Sequence, residues 1–321
     1  MYEMRQTCRG KLGILMTLQQ LKYVTAVASK GTISEAAKEL FIAQPSLTAA
    51  IKELETELGI TIFNRTNKGA VLTADGEEFL GYARQVLEQT SLIEEKYTGK
   101  AAGKHLFCVS AQHYSFVVEA FVDLLRDYGG EEYDFRIRET QTYEIIEDVA
   151  RLRSEVGVLY LNPFNETVIR KELHSHDLTF HSLFVTRPYI FVSTSNPLAA
   201  RSAVSLEDLA PYPRLSYEQG EHNSFYFAEE ILSTRDSKKD IVVRDRATLF
   251  NLLIGLDGYT ICSGVISEEL NGKNIVAVPL LVDDYIEIGY ITHNKIVPSR
   301  FVGPYIEALK RHTQKLEGEN I

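Results

Sequence analysis

The chain has 321 residues, 45% of them apolar and 24% charged, which excludes a disordered or fibrous protein and suffices for two domains or more. Its net charge of −10 argues against a nucleic-acid partner only until the chain is divided. Residues 1–75 hold 9 basic and 7 acidic side chains, net +2, so the acidity belongs to the larger C-terminal part.

Cys8, Cys108 and Cys262 are too few and too scattered for a disulfide framework or a metal knuckle, which fits a reducing interior. No apolar run approaches the ~18–20 residues that span a bilayer. Arg5, Arg9 and Lys11 precede a short apolar run, but no small-residue cleavage site follows. Residues 1–15 therefore read as an extension upstream of a start at Met16, and the protein is expected to be soluble and cytoplasmic.

From Leu18 the apolar residues Leu21, Val24 and Ala28 recur at helical spacing as far as the stop signal Lys30-Gly31. Thr32-Ile33-Ser34-Glu35 reads as a capping box opening a second, short helix to about Leu40. Phe41-Ile42-Ala43 then leads to Gln44-Pro45, where Pro in the first turn starts a third helix that Gly59 ends. Two short helices joined by a tight turn form a helix-turn-helix pattern. Ile60–Arg65, the turn Thr66–Gly69 and Ala70–Leu72 follow as a β-hairpin wing.

A long helix is predicted from about Ala74 to Tyr97. Phe79, Ala83, Val86, Thr90, Ile93 and Tyr97 fall at spacings of 4, 3, 4, 3 and 4, a heptad seam suited to dimerisation. Residues 99–104 read as a hinge. Beyond it, strands and helices alternate: Leu106–Val109, Phe116–Arg126, Asp134–Ile137, Tyr143–Leu152 and Val156–Leu161 form a βαβαβ series that implies a parallel sheet. A second set has strands near Tyr189–Val192, Ile241–Val243, Thr260–Cys262 and Ile275–Val278. Strand Ile286–Thr292 and helix Arg300–His312 have no partners nearby and are expected to return to the first sheet. Two α/β lobes with a cleft between them thus span 105–312, lobe I at about 105–181 and 286–312 and lobe II at about 182–285, with a tail at 313–321.

Several segments resemble the LysR-type transcriptional regulators. They are Leu18-Gln19-Gln20-Leu21-Lys22-Tyr23-Val24, Gly31 to Ala37, Ala43-Gln44-Pro45-Ser46-Leu47-Thr48, Ile51 to Glu55, Phe63-Asn64-Arg65 and Leu72 to Gly76. The resemblance is specific over 17–80 and weaker over 104–312, where Asn196-Pro197-Leu198-Ala199 and Val204 to Leu209 are similar. Ala43 departs from the Ser or Thr common at its position. The resemblance implies a winged helix-turn-helix DNA-binding domain at 16–75, a linker helix at 76–98 and a two-lobed α/β effector domain of periplasmic-binding-protein type. It further implies a homodimer, usually a homotetramer, with RNA polymerase as a further partner, and DNA contacts that change when a small molecule fills the cleft.

The residues themselves suggest which would act. Gln44, Pro45, Ser46, Thr48 and Ala49 open the third helix, where short or amide side chains suit base edges and the helix terminus favours phosphate. Thr32 and Ser34 of the preceding helix, Lys52, and Arg65 and Lys68 of the wing complete the expected DNA face. From Met16 to Asp75 six basic and six acidic residues cancel, so affinity must come from arrangement and from several copies. Glu53, Glu55 and Glu57 lie at the far end of the helix, where acid is tolerable.

Loops at strand C-termini select Ser110, Gln112, His113, Thr140 and Gln141 in the first lobe, and Ser216, Tyr217, Ser263 and Gly264 in the second. These groups suit a small, anionic effector; Arg138 and Arg214 are candidate charges. By resemblance, Ser110 and Thr140 help hold the ligand. His174, His176, Asp177 and His181 fit solvated polar residues better than a metal site. Cys108 and Cys262, on buried strands of separate lobes, are poor partners for a redox switch. No catalytic motif is present, so an enzyme is not expected and no cofactor is implied. The alternatives are a DNA-binding regulator without an effector and a solute-binding protein.

Overall fold

The computed structural model describes residues 16–66, 69–98, 105–129, 132–222 and 224–313. The expected extension 1–15, the hinge 99–104, the wing residue Lys68 and tail residues 314–321 lie outside the described residues. The chain divides after Gly103 into two compact units. Among the described residues, no helix is long and apolar enough to cross a membrane.

In the first unit, α1 (Leu18–Lys30) starts on a capping box between Thr17 and Gln20 and stops at Gly31, whose φ of +71° favours glycine. The next helix, α2 (Ile33–Glu39), has half of the expected box. Thr32 Oγ1 accepts the Glu35 N–H at 3.2 Å, while the Glu35 carboxylate pairs with Lys38 at 2.7 Å. Pro45 opens α3 (Gln44–Leu58); Ala43 gives no side-chain cap, because a methyl group has no acceptor. Val24, Val27, Ala36, Ala37, Leu47, Ile51 and Leu54 from the three helices make one core.

The wing, β1 (Phe63–Thr66) and β2 (Gly69–Leu72), is antiparallel. It begins later than the pattern suggests, since Ile62 is buried in the helical core. Ala70 N–H reaches Gly31 O at 2.8 Å, and a Cβ on Gly69 would lie 2.3 Å from that oxygen. Only glycine fits there. Glu55 proves structural: its Oε1 accepts the N–H groups of Ile62 at 2.7 Å and Phe63 at 3.1 Å, holding the entry to the wing.

The linker helix α4 (Ala74–Thr98) begins with Thr73 Oγ1 accepting the Gly76 N–H at 2.9 Å. Its heptad seam is divided. Ala83 is buried and Phe79 packs on the first unit's own core, whereas Val86, Ile93 and Tyr97 are exposed, the last two by 61% and 76%. Thr90 Oγ1 donates to Val86 O within the helix.

In the second unit, β3 (His105–Ala111), α5 (Ser115–Tyr128), β4 (Tyr133–Glu139), α6 (Thr142–Ala150), β5 (Val156–Leu161), α7 (Glu166–Ser175) and β6 (Leu178–Thr186) build the first lobe. The second lobe comprises β7 (Tyr189–Ser193), α8 (Leu206–Leu209), β8 (Arg214–Tyr217), β9 (Asp240–Val243), α9 (Arg246–Leu256), β10 (Thr260–Cys262), α10 (Glu268–Asn271) and β11 (Ile275–Pro279). The chain then returns through β12 (Ile286–His293) and α11 (Val302–Thr313).

The first sheet has the order β4-β3-β5-β12-β6. Its β3, β4 and β5 are parallel, and β12 joins antiparallel between β5 and β6, as the orphan strand required. Because β6 runs to Thr186, the first lobe extends past the boundary expected at 181. In the second lobe β7 is central and antiparallel to both β10 and β11, while β8 and β9 form a parallel pair. Strands β6 and β8 escaped the sequence pattern.

Replacing Glu55 by Ala strands two N–H groups at the wing entry, one of them on the buried Ile62, and is expected to cost the first unit about 1–3 kcal/mol. Glu53→Ala on the exposed side is expected to change stability by less than about 0.5 kcal/mol. Urea unfolding followed by helix signal distinguishes them; equal effects would refute the role of Glu55.

Candidate functional sites: a DNA-reading face and an inter-lobe cleft

On the first unit, Ser34, Gln44, Pro45, Ser46, Ala49 and Lys52 are exposed, while Thr32 and Thr48 are half-buried. Leu47 and Ile51 anchor the opposite side of α3 in the core, which fixes the direction of the exposed face. Ser34 Oγ donates to Gln44 Oε1 at 3.1 Å and orients that amide, whose nitrogen donors remain uncommitted among the described residues. Arg65 lies on β1, paired in register with Ala70.

Sequence reading missed Phe41. Its ring is 96% exposed, and its φ of +54° is unusual for a bulky residue. The turn holds it there: Phe41 N–H reaches Lys38 O at 3.2 Å and Ile42 N–H reaches Ala37 O at 3.0 Å.

In the second unit several expected effector residues face inward. Ser110 is fully buried, donating to Asp148 at 2.6 Å, and Asp148 also pairs with Arg138 at 2.8 Å. Gln112 is likewise buried. Its Nε2 donates to Thr142 Oγ1 at 2.6 Å, and its Oε1 accepts from Tyr160 N and the Tyr114 hydroxyl. Thr140 bonds the Glu144 carboxylate. Arg214 is bound to Asp240 at 2.6 and 2.9 Å. Ser216 sits on β8 without lining the cleft. Gly264, at φ +83°, lies so close to Tyr189 that a Cβ would meet the ring at 2.7 Å.

Between the lobes lies a cleft of about 590 Å³ of empty space, part of it open to solvent. His113, Tyr217 and Ser263, three of the expected residues, line it. So do Tyr160, Glu229, Glu230, Arg246, Phe250 and Thr260, which the strand-end rule did not select. The 218–239 connection between β8 and β9 supplies two of these, Glu229 and Glu230. It leaves the second lobe and lies across the first.

There Gln219 Oε1 accepts the Thr142 N–H at 3.1 Å, filling a donor at the N-terminus of α6. The Gln141 amide, oriented to suit its neighbours, donates to Gln219 O and accepts from Gly220 N, each at 3.2 Å. His222 stacks on Tyr143 at 3.6 Å and Tyr226 on Phe164 at 4.7 Å.

Glu229 grips the first lobe directly. Its carboxylate meets His113 Nδ1 at 2.9 and 3.0 Å and accepts the His113 N–H, while the His113 ring stacks on Tyr217 at 3.9 Å. Burial opposes a charge on His113, but the Glu229 carboxylate outweighs it, and the imidazole pKa is raised above 6.5. Arg246, at the start of α9, ties the lobes a second time through Glu139 at 3.0 Å. Thr260 Oγ1 and Arg246 Nη1 are buried without a partner among the described residues.

The His174–His181 segment holds no cleft residue, and His176 Nδ1 turns to Glu172 O at 2.9 Å within its own helix. Burial pushes both thiols up, Cys108 beside the Ser154 hydroxyl and Cys262 on β10, away from reactive thiolates.

Comparison with known proteins names this combination. Residues 18–77 match the helix-turn-helix model described as a bacterial regulatory helix-turn-helix protein of the lysR family, and residues 105–314 match the LysR substrate binding domain. The chain belongs to the LysR family of DNA-binding transcriptional regulators with an effector-binding domain, and is not an enzyme. It is 26% identical over 243 residues to the regulator AlsR of Bacillus subtilis, covering 75% of this chain and 77% of that one. With YnfL of Escherichia coli it shares 28% over 207 residues, 63% of this chain and 65% of that one. Full-length OxyR from Pseudomonas aeruginosa superposes with a TM-score of 0.61 at 19% identity, over 92% of this chain and 98% of that one. CbnR complexed with its target DNA gives 0.54 at 20% identity, over 93% and 100%.

The inter-lobe contact has a defined pH sign. His113, with its folded pKa above 6.5, contributes stability below that value and loses it as pH rises through the folded pKa. Glu230, whose carboxyl burial pushes well above the usual range, acts in the same direction. The other charges facing His113 are Glu229, Glu139, Arg246 and Asp245. Hydrogen exchange in residues 224–231, corrected for intrinsic rate, is expected to quicken as pH is raised from about 6 to about 8. A flat or opposite trend contradicts this linkage.

Proposed function

We propose that the chain acts in the cytoplasm as a homo-oligomeric regulator. Its α3 face reads a dyad-symmetric operator, and its inter-lobe cleft binds the small molecule that alters that contact. RNA polymerase is the further partner through which operator occupancy acts on transcription. The observation that supports an effector most directly is the pair of buried, unpartnered polar atoms in the cleft, Thr260 Oγ1 and Arg246 Nη1. A protein interior leaves such atoms unsatisfied at a cost, and polar groups of a ligand can satisfy them. Arg246 is thus the group suited to an anionic moiety of the effector, in place of Ser110, which is buried, and Arg138, which is bound to Asp148. A regulator without an effector leaves the two atoms unexplained, and a solute-binding protein leaves the winged helix unexplained.

On the DNA side, Gln44 presents an amide suited to an adenine edge, with Ser34 orienting it. Phe41 offers an apolar face suited to a thymine methyl. Thr32, Pro45, Ser46, Thr48, Ala49, Lys52, Arg65 and Lys68 supply the remaining backbone and groove contacts. The exposed half of the α4 seam, Val86, Ile93 and Tyr97, supports dimerisation; a tetramer follows the family pattern.

Gel shifts on the upstream region of the chain's own gene are expected to show binding that weakens steeply with salt. Gln44→Ala and Phe41→Ala are each expected to weaken specific binding by about 1–3 kcal/mol while sparing nonspecific binding. Equal loss on all sequences would reassign both residues to the phosphate backbone. Ile93→Asp is expected to lower the oligomeric state in sedimentation; an unchanged mass counts against the α4 dimer. In a thermal-shift screen of metabolites, at least one compound is expected to stabilise the second unit, and Arg246→Met to abolish that response.

A further inference from the structure

The cleft's charges are unevenly matched. His113 is bonded to Glu229 and Arg246 to Glu139, at 2.9 and 3.0 Å. Glu230, the next residue after Glu229 and only 8% exposed, has no basic partner within ion-pair distance among the described residues. Its Oε1 accepts the backbone N–H of Tyr217 at 3.0 Å. Three carboxyl groups therefore meet two bases. A purely anionic ligand would occupy Arg246 but add negative charge beside Glu229 and leave Glu230 without a cation. A neutral apolar ligand would desolvate all of these groups and satisfy none.

The walls specify the rest. Tyr114, Tyr160, Phe191, Tyr217 and Phe250 line the cleft, and aromatic faces attract cations. Thr260 Oγ1, on a residue 4% exposed, is an acceptor without a donor as well as a donor without an acceptor. An ammonium group has three donors and the charge that Glu230 lacks.

We infer that the effector carries a protonated primary amine held by Glu230 and Thr260, and that, with an oxygen acceptor for Arg246 Nη1, it is a zwitterionic, amino-acid-type compound with an apolar side chain. This rests on the reading of the cleft as the effector site. It also carries a proton balance. Burial and the neighbouring Glu229 charge push the Glu230 carboxyl well above the usual carboxylate range, with Tyr160 and Tyr217 beside it and Arg214 opposing. An entering ammonium favours the ionised Glu230, so any proton held there is released to the buffer and the ion pair takes its place.

The test uses the full chain and two matched series: leucine, isoamylamine and isocaproate, then phenylalanine, phenethylamine and hydrocinnamate. Thermal shift and calorimetry are expected to rank amino acid first, amine next and carboxylate last within at least one series. Calorimetry in buffers of different ionisation enthalpy is expected to show proton release for the amine-bearing members only. Glu230→Gln keeps an acceptor for the Tyr217 N–H, so it is expected to fold. It is expected to weaken the amine-bearing members on the order of 10- to 100-fold while changing the carboxylate by less than about 2-fold. Carboxylates binding as tightly as their amino acids, or amino-acid binding indifferent to Glu230→Gln, overturns the amine and leaves the effector cleft standing. So does a broad-panel hit without an amine when all six are silent. Silence of both the six compounds and the broad panel overturns the cleft reading with it.

Discussion

The way the two lobes of the second unit meet turns on where the β8–β9 connection is held, and the first contact along it is the hydrogen bond from Thr142 N–H to Gln219 Oε1. A helix N-terminus presents free N–H donors and a partial positive charge, an arrangement that serves as an anion site in many proteins. Here the chain's own β8–β9 connection supplies the acceptor. That anchor brings the connection from one lobe onto the other, and its consequences follow in order along the sequence. His222 reaches Tyr143, Tyr226 reaches Phe164, Glu229 reaches His113, and Glu230 arrives in the cleft behind Tyr217. Without the anchor there would be no reason for two adjacent glutamates to lie buried between aromatic rings.

The cost of that placement is concentrated at the junction. Most of the second unit is packed with Val, Ile, Leu and Phe in three apolar clusters, and its Ser110–Asp148 network is tied by Arg138 and Arg153. At the junction, by contrast, burial raises the Glu230 and Glu139 carboxyls and leaves Thr260 and Arg246 with idle hydrogen-bonding groups. A fold tolerates local instability where a change of state uses it. Binding there can alter the relation of the lobes, because the groups a ligand would touch are attached to both: Glu229 and Arg246 on the second, each holding a residue of the first.

The helix-turn-helix was legible because its signals are local. Gly31, Pro45 and Gly59 mark boundaries within a few residues of their effects, and the apolar period identifies the core. The cleft was legible only in outline. Strand ends pointed to His113, Tyr217 and Ser263, which line it, but equally to Ser110 and Gln112, which turn inward to Asp148 and Thr142. A strand's two faces alternate, and without knowing which face meets the other lobe the rule selects both. Glu229 and Arg246 gave no sign, since their partners His113 and Glu139 lie far along the chain, and the Thr260 hydroxyl has no partner among the described residues that could have pointed to it. The available clue was the length of the 218–239 connection, unusual for a loop with no regular pattern of its own.

The division of the α4 seam bears on how a neutral module holds DNA. Six basic and six acidic residues between Met16 and Asp75 give no net long-range attraction to a polyanion, so one copy by itself binds weakly. Phe79 and Ala83 are absorbed by the first unit's core, which fixes α4 rigidly to the reading head. Val86, Ile93 and Tyr97 continue the same period outward and stand exposed. In the proposed dimer that continuity sets the spacing of two reading heads by a stiff helix, so the second head binds as an intramolecular event at high effective concentration. Weak charge then becomes an advantage: neither head holds random sequence well, and only two correctly spaced half-sites bind both.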